Sequence, residues 1–160
     1  MTPRFVADCM VGRLAKWLRA FGFDVVYDPF AEDAWVASQA QDSGRILLTR
    51  DTGLRYVYGA RILFIQSDHV AEQLRQVVEE TPLNLNLAQP LTRCTVCNGA
   101  LVTASRGEVW ERVPPFIYLT QERYAACPDC RRVYWMGTHV ANMLARLREL
   151  KREAQPGRAA

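Results

Sequence analysis

No stretch of this chain approaches the roughly 20 consecutive apolar residues that a bilayer-crossing helix needs, so no membrane partner is expected. The opening run, Met1 to Asp8, lacks the apolar centre of a secretory leader, and cytoplasmic residence is the expectation. Glycine-rich phosphate cradles are missing as well. Neither G-x-x-x-x-G-K-[ST] nor G-x-G-x-x-G occurs, which argues against nucleotide hydrolysis through a P-loop. Asp8-Cys9-Met10 is not D-x-D, so a haloacid-dehalogenase-type site lacks its motif. A receiver domain would want an acidic pair after the first strand and a lysine after a fifth, and neither is present. The cysteines lack the scattered spacing of a disulfide framework.

What remains is ordinary globular material, 49% hydrophobic and 23% charged, sized for one domain or two small ones. Its charge is uneven: residues 1–80 carry a net −2 and residues 81–160 a net +5. An acidic half joined to a basic half points towards a polyanion partner. Four thiolates around one Zn²⁺ would reduce the basic excess to about +3.

The first half alternates short apolar runs with amphipathic segments. Phe5-Val6-Ala7, Val25-Val26-Tyr27, Ile46-Leu47-Leu48-Thr49 and Ile62-Leu63-Phe64-Ile65 read as strands. Helices are expected over Val11 to Phe21, about Asp33 to Gln41 and about Val70 to Glu80, with a short one near Leu54, Val57 and Tyr58. In the first, Trp17, Phe21, Leu14, Leu18, Val11 and Ala15 fill an arc of about 160° on a helical wheel. Arg13, Lys16 and Arg19 fall opposite, as a solvated face or a phosphate-contacting one. Trp35, Val36 and Ala40 are the expected buried side of the second helix. Cys9 reads as a small packed residue.

Strand and helix repeated four times imply an α/β parallel sheet with right-handed crossovers. An aspartate lies within three residues of every strand end: Asp8, Asp28, Asp51 and Asp68. Ligands of open parallel sheets bind beyond the carboxyl ends of the strands. Carboxylates gathered there repel one another unless a cation is shared. Mg²⁺ or Mn²⁺ takes such oxygen ligands together with substrate phosphates, and two ions about 4 Å apart can serve a phosphodiester displacement. Asp33, beside Glu32, also suits an N-cap or first-turn role.

Thr81 to Gln89 loses helical period and reads as a connector keeping apolar contact through Leu83, Leu85 and Leu87. Cys94-Thr95-Val96-Cys97 and Cys127-Pro128-Asp129-Cys130 then form two C-x-x-C knuckles, 29 residues apart. That spacing predicts a closed tetrahedral Cys₄ zinc site, structural because no coordination position stays open. Leu101-Val102-Thr103 and Phe116-Ile117-Tyr118-Leu119 look like strands between the knuckles, and Val133-Tyr134-Trp135 leaves the second. A last helix is expected from Val140 to about Arg152. Arg131, Arg132, Arg146, Arg148, Lys151 and Arg152 could present a basic face near Tyr134 and Trp135. His139, at the helix start, is a local cap or a phosphate contact.

Several of these stretches resemble one family across about residues 4 to 148. They are Phe5-Val6-Ala7-Asp8, Leu14 to Arg19, Gly22-Phe23-Asp24-Val25, Leu47-Leu48-Thr49-Arg50-Asp51 and Gln73-Leu74. Arg93-Cys94 to Gly99, Val113-Pro114-Pro115, the second knuckle, Tyr134-Trp135 and Gly137-Thr138-His139 complete the set. The chain is similar to the Mut-seven C-terminal RNase domain family, a PIN-like nuclease fold fused to a zinc ribbon. Thr138 and Val140 depart from that family's usual glycine-serine-histidine-tryptophan. The resemblance implies a metal-dependent RNase with Asp8 and Asp51 as the best-matched acidic residues, and Asp33 and Asp68 as third and fourth. RNA is the implied partner, with Arg13, Lys16 and Arg50 neutralising its phosphates and Cys94, Cys97, Cys127 and Cys130 holding zinc. The expected division is a compact PIN-like sheet domain (1–80), a connector (81–92), a zinc ribbon with terminal helix (93–153) and a tail (154–160). The competing expectation is a non-catalytic RNA- or ribosome-binding adaptor with a vestigial acidic rim.

Overall fold

Short apolar runs flanked by polar residues form strands when both faces of their sheet are covered, and the first half of the chain does this. The computed structural model describes the backbone of residues 1–153 and the side chains through residue 152. The tail expected over 154–160 lies outside the described residues. Strands β1 (Phe5–Ala7), β2 (Val25–Val26), β3 (Ile46–Thr49) and β4 (Arg61–Phe64) pair in parallel in the order β2-β1-β3-β4. Helices α1 (Gly12–Ala20), α2 (Asp33–Ser43) and α3 (Val70–Glu80) flank the sheet.

The two-residue alternation of strand side chains separates two cores. Phe5, Ala7, Val25, Ile46, Leu48 and Leu63 pack with α1 and α3. Val6 and Leu47 point the other way, onto Val36 and Ala40 of α2 and onto Leu54. Trp35, expected inward, is 40% exposed, because α2 buries only the narrow stripe around Val36 and Ala40. The helix expected near Leu54 is a single 3-10 turn, Thr52–Leu54. Gly44 ends α2 in the left-handed region, at φ 64°, where glycine carries no Cβ penalty.

The ribbon half holds an antiparallel sheet of β5 (Val102–Ala104), β6 (Tyr124–Ala126) and β7 (Val133–Trp135), in that order. Helices α4 (Arg106–Val109) and α5 (Pro115–Thr120) lie between β5 and β6. Residues 116–119 were expected as a strand and are helical instead. Pro115 occupies a first-turn position, where its fixed φ and missing N–H favour helix entry, and the Tyr118 amide bonds the Pro114 carbonyl at 3.0 Å.

Helix α6 (Thr138–Glu153) does not stay with the ribbon. Its Leu144 and Leu147 join the core that holds Phe5 and Leu74, and the connector residues Leu83 and Leu85 are buried in the same cluster. Arg148 donates to the Leu85 carbonyl and Lys151 to the Leu83 carbonyl, each at 3.1 Å. These two cations clasp the connector rather than extend a free basic face. Leu87 is 51% exposed and makes no comparable anchor.

Candidate active site and metal centre

The sheet order creates a switch point. After β1 the chain turns to α1 on one face, while after β3 it turns to the Thr52–Leu54 segment on the other. A crevice opens outside adjacent strands whose connections diverge in this way. Asp8 and Asp51 are the residues that emerge there.

Asp8 is 2% exposed and tightly held. Its Oδ1 accepts from the Met10 amide at 2.7 Å, capping the 3-10 turn Cys9–Val11. Its Oδ2 accepts from the Arg50 amide at 3.1 Å and from the Thr49 hydroxyl. That hydroxyl also accepts from the Asp51 amide at 2.9 Å, so Thr49 ties the two acidic positions together. The Asp51 Oδ1 accepts from the Gly53 amide at 2.7 Å, and its Oδ2 takes no bond from the described residues. Arg50 is half-buried, and its Nη1 is sealed from solvent without an acceptor.

Beside Asp8 lies a cleft of about 270 Å³ walled by the turn 9–12, Arg13, Lys16, Tyr27, Asp68 and Gln73. A Cβ on Gly12 would fall on the Tyr27 hydroxyl, so the turn's close approach to that ring needs glycine. Asp68 is 80% exposed, with His69 3.5 Å away. Asp33 is exposed in the first turn of α2, where a carboxylate favours the helix dipole. Asp28 is exposed and binds the Phe30 amide at 2.9 Å. Cys9, expected to be packed, is exposed on the cleft wall.

The four knuckle thiols form a second constellation. Their Sγ atoms all lie within 4.8 Å of one another, with Cys94 to Cys130 at 3.5 Å and Cys97 to Cys127 at 3.4 Å. Ligands about 2.3 Å from one zinc stand about 3.8 Å apart in a tetrahedron, so the set is sized for a single ion. Each knuckle turns the amide of its second cysteine towards the first sulfur, at 3.5 Å. The Tyr134 hydroxyl adds a contact to Cys94 at 3.0 Å. Burial pushes the Cys94 thiol up, but the Cys97 amide and Tyr134 outweigh it and bring it to about 6. At Cys97 the Gly99 amide pulls down, yet burial and the Cys127 and Cys94 sulfurs push it up to about 12. One thiolate forms readily and a second is resisted, which is the electrostatic condition that a bound cation relieves. Among the described residues no three carboxylates bring their oxygens together as these four sulfurs do.

Arg19 joins the knuckle to the sheet. It is 2% exposed rather than part of the solvated face expected for it. Its guanidinium donates to the Val25 carbonyl at 2.9 Å and to the Thr95 and Val96 carbonyls at 3.1 and 2.9 Å. Asn98 works from the other side, accepting from the Val25 amide at 3.1 Å and donating to Asp24 at 2.7 Å. Asp24 is held in turn by Arg45 at 2.8 and 3.0 Å. Burial raises the Asp24 carboxyl, but the Arg45 and Asn98 bonds leave it below its ordinary value. The outer edge of β2 is thereby capped by side chains rather than left open.

The Mut7-C RNAse domain model matches residues 3–147. The chain belongs to that family. Searches among curated proteins and among solved structures returned no match.

In this Mut7-C domain, the residues expected to serve the site divide into three groups. Asp8, Asp51 and Arg50 meet around Thr49 at the ends of β1 and β3. Arg13, Lys16 and Asp68 line the adjoining cleft, and Asp33, exposed in the first turn of α2, is not among its lining residues. The four cysteines form one metal-binding cluster. Sequence reasoning quoted Thr49 and Gln73 within the resembling stretches but gave no role to either, the one a lone hydroxyl ending an apolar strand and the other a buried amide on the cleft wall.

Proposed function

We propose that this Mut7-C domain is a metal-dependent ribonuclease acting on phosphodiester bonds of RNA in the cytoplasm, with a structural zinc in its ribbon. The observation that carries the reading is the coupling of Asp8 and Asp51 through Thr49 at the switch point of the sheet. Among the described residues, three of about four acceptor positions on the Asp8 carboxylate are used, leaving one free, and Asp51 keeps a whole oxygen free. These donors fit a hard divalent cation. Asp8 and Asp51 would hold Mg²⁺ or Mn²⁺, with Asp68 on the cleft wall and Asp33 in the first turn of α2 as the further candidates. The ion, when bound, supplies Lewis acidity and an activated water.

The chain's own residues do the rest. Thr49 and the Arg50 amide fix the Asp8 carboxylate so that it presents one defined edge. Arg13 and Lys16 receive the phosphate backbone across the cleft, and Arg50, whose backbone amide bonds Asp8, adds positive charge beside the acidic pair. The four thiols, sized and charged for Zn²⁺, keep the ribbon closed. The test is cleavage of single-stranded RNA with Mn²⁺, in which Asp51→Asn should fall at least about a hundredfold. That corresponds to about 3 kcal/mol at roughly 1.4 kcal/mol per decade.

One observation favours a second reading, an RNA- or ribosome-binding adaptor. Asp8 is almost wholly buried and already bonded through both oxygens, as a purely structural carboxylate would be. RNA bound but uncut in any divalent metal would select it.

A further inference from the structure

Gln73 is the polar group on the cleft wall that no other part of the account uses. It is 4% exposed, and its amide Nε2 donates to the Ser67 carbonyl at 2.9 Å. Its Oε1 meets no partner among the described residues, yet it is not among the polar atoms sealed from solvent. One Nε2 hydrogen and the Oε1 acceptor thus remain unpaired among the described residues, on a side chain that lines the cleft. A donor–acceptor pair of this kind reads the edge of a base, and adenine is its recurrent bidentate partner.

The surroundings suit the rest of a nucleotide. Arg13 and Lys16 supply two exposed cations, opposed by the single carboxylate of Asp68. Tyr27 supplies an aromatic wall, and Arg19 lies 5.9 Å from the centre of its ring. About 270 Å³ falls just below the roughly 300–1,000 Å³ of ligand clefts, and so fits one nucleotide rather than a helix. Proteins recognise single-stranded RNA by splaying out such a base, stacking it and bonding its edge.

We infer that the cleft between α1 and α3 is a pocket for one unstacked nucleotide of single-stranded RNA, with Gln73 reading an adenine base and Arg13 and Lys16 holding the flanking phosphate. The inference rests on the ribonuclease reading for its substrate class and adds base preference to it. Asp8 borders the pocket through the turn 9–12, so a seated base would set which phosphate meets the acidic pair.

The test uses the zinc-loaded full chain without added Mg²⁺ or Mn²⁺, so that binding is read without cleavage. Fluorescence anisotropy with labelled octamers of adenylate and of uridylate should give the wild type a preference of about tenfold for adenylate. Gln73→Met keeps the side chain's length and should bring the two within about twofold. Lys16→Gln should weaken both alike and leave their ratio unchanged. A second measurement avoids core variants: the Gln73 side-chain N–H signals should shift on titration with AMP and stay in place with ribose 5-phosphate. A wild type without base preference, a Gln73→Met protein that keeps it, or equal shifts with both ligands would overturn the inference. Preference without cleavage would overturn the nuclease reading alone, and cleavage without preference the pocket alone.

Discussion

Thr49 connects the two acidic positions, and its hydroxyl has no route to solvent. Thr49→Val keeps the shape but leaves the Asp51 amide without its acceptor and Asp8 with one donor fewer. Leaving buried polar groups unpaired in this way costs about 1–3 kcal/mol, which urea denaturation would measure, and Thr49→Ser should recover most of it. Asp24 carries a pH dependence of definite sign. Its pKa is lowered in the fold, so its stabilising effect is complete above the unfolded carboxyl value and is lost as pH falls through the folded one. Urea midpoints should therefore fall below about pH 4, and more steeply for the wild type than for Asp24→Asn. Asp8 and Asp51 were legible as strand-end carboxylates. Thr49 was not, because its hydroxyl partner lies 41 residues away and its β-branched shape simply extends a strand. Arg19 was misplaced for the same reason. A helical wheel sees only its own helix, while the Thr95 and Val96 carbonyls that bury this cation lie 76 and 77 residues on.

Among the elements, the first knuckle does more than close a metal site. Through Arg19 and Asn98 it caps the exposed edge of β2, so the four-cysteine cluster and the parallel sheet are mechanically joined. Asn98→Ala should lower stability by about 1–3 kcal/mol, since it strips the Val25 amide and Asp24 of partners together. Removing the metal should cost more. Treatment with a thiol reagent that releases zinc should lower the melting temperature of the whole chain, and re-addition of zinc should restore it. A melt of the sheet half that is unchanged by zinc release would show the clamp to be ornamental. The knuckles were plain in the sequence because C-x-x-C spacing encodes the geometry locally. Helix α5 was not, since Phe116 to Leu119 has strand-like composition and only Pro114-Pro115 marks a helix entry.

The molecule as a whole is a parallel sheet with helices on both faces, a four-cysteine ribbon and a terminal helix, all expected from the order of periodic segments and turns. The return of α6 to the first half was not legible, because Met143, Leu144 and Leu147 mark an inward stripe without naming its partner. Leu147→Ala should cost about 2–5 kcal/mol as a cavity in the sheet-half core. With α6 and the first knuckle both fastened to the sheet, unfolding followed by far-ultraviolet circular dichroism and by tryptophan fluorescence should give coincident transitions. The most direct test of the proposed chemistry is the single-turnover cleavage rate of a labelled single-stranded RNA, measured against Mn²⁺ concentration. For the wild type the rate should rise with Mn²⁺ and saturate, while Asp8→Asn and Asp51→Asn, still folded and still binding RNA, should fall by at least about a hundredfold. A wild type that binds RNA and leaves it intact at every Mn²⁺ concentration, or variants that cut as fast as the wild type, would contradict the account.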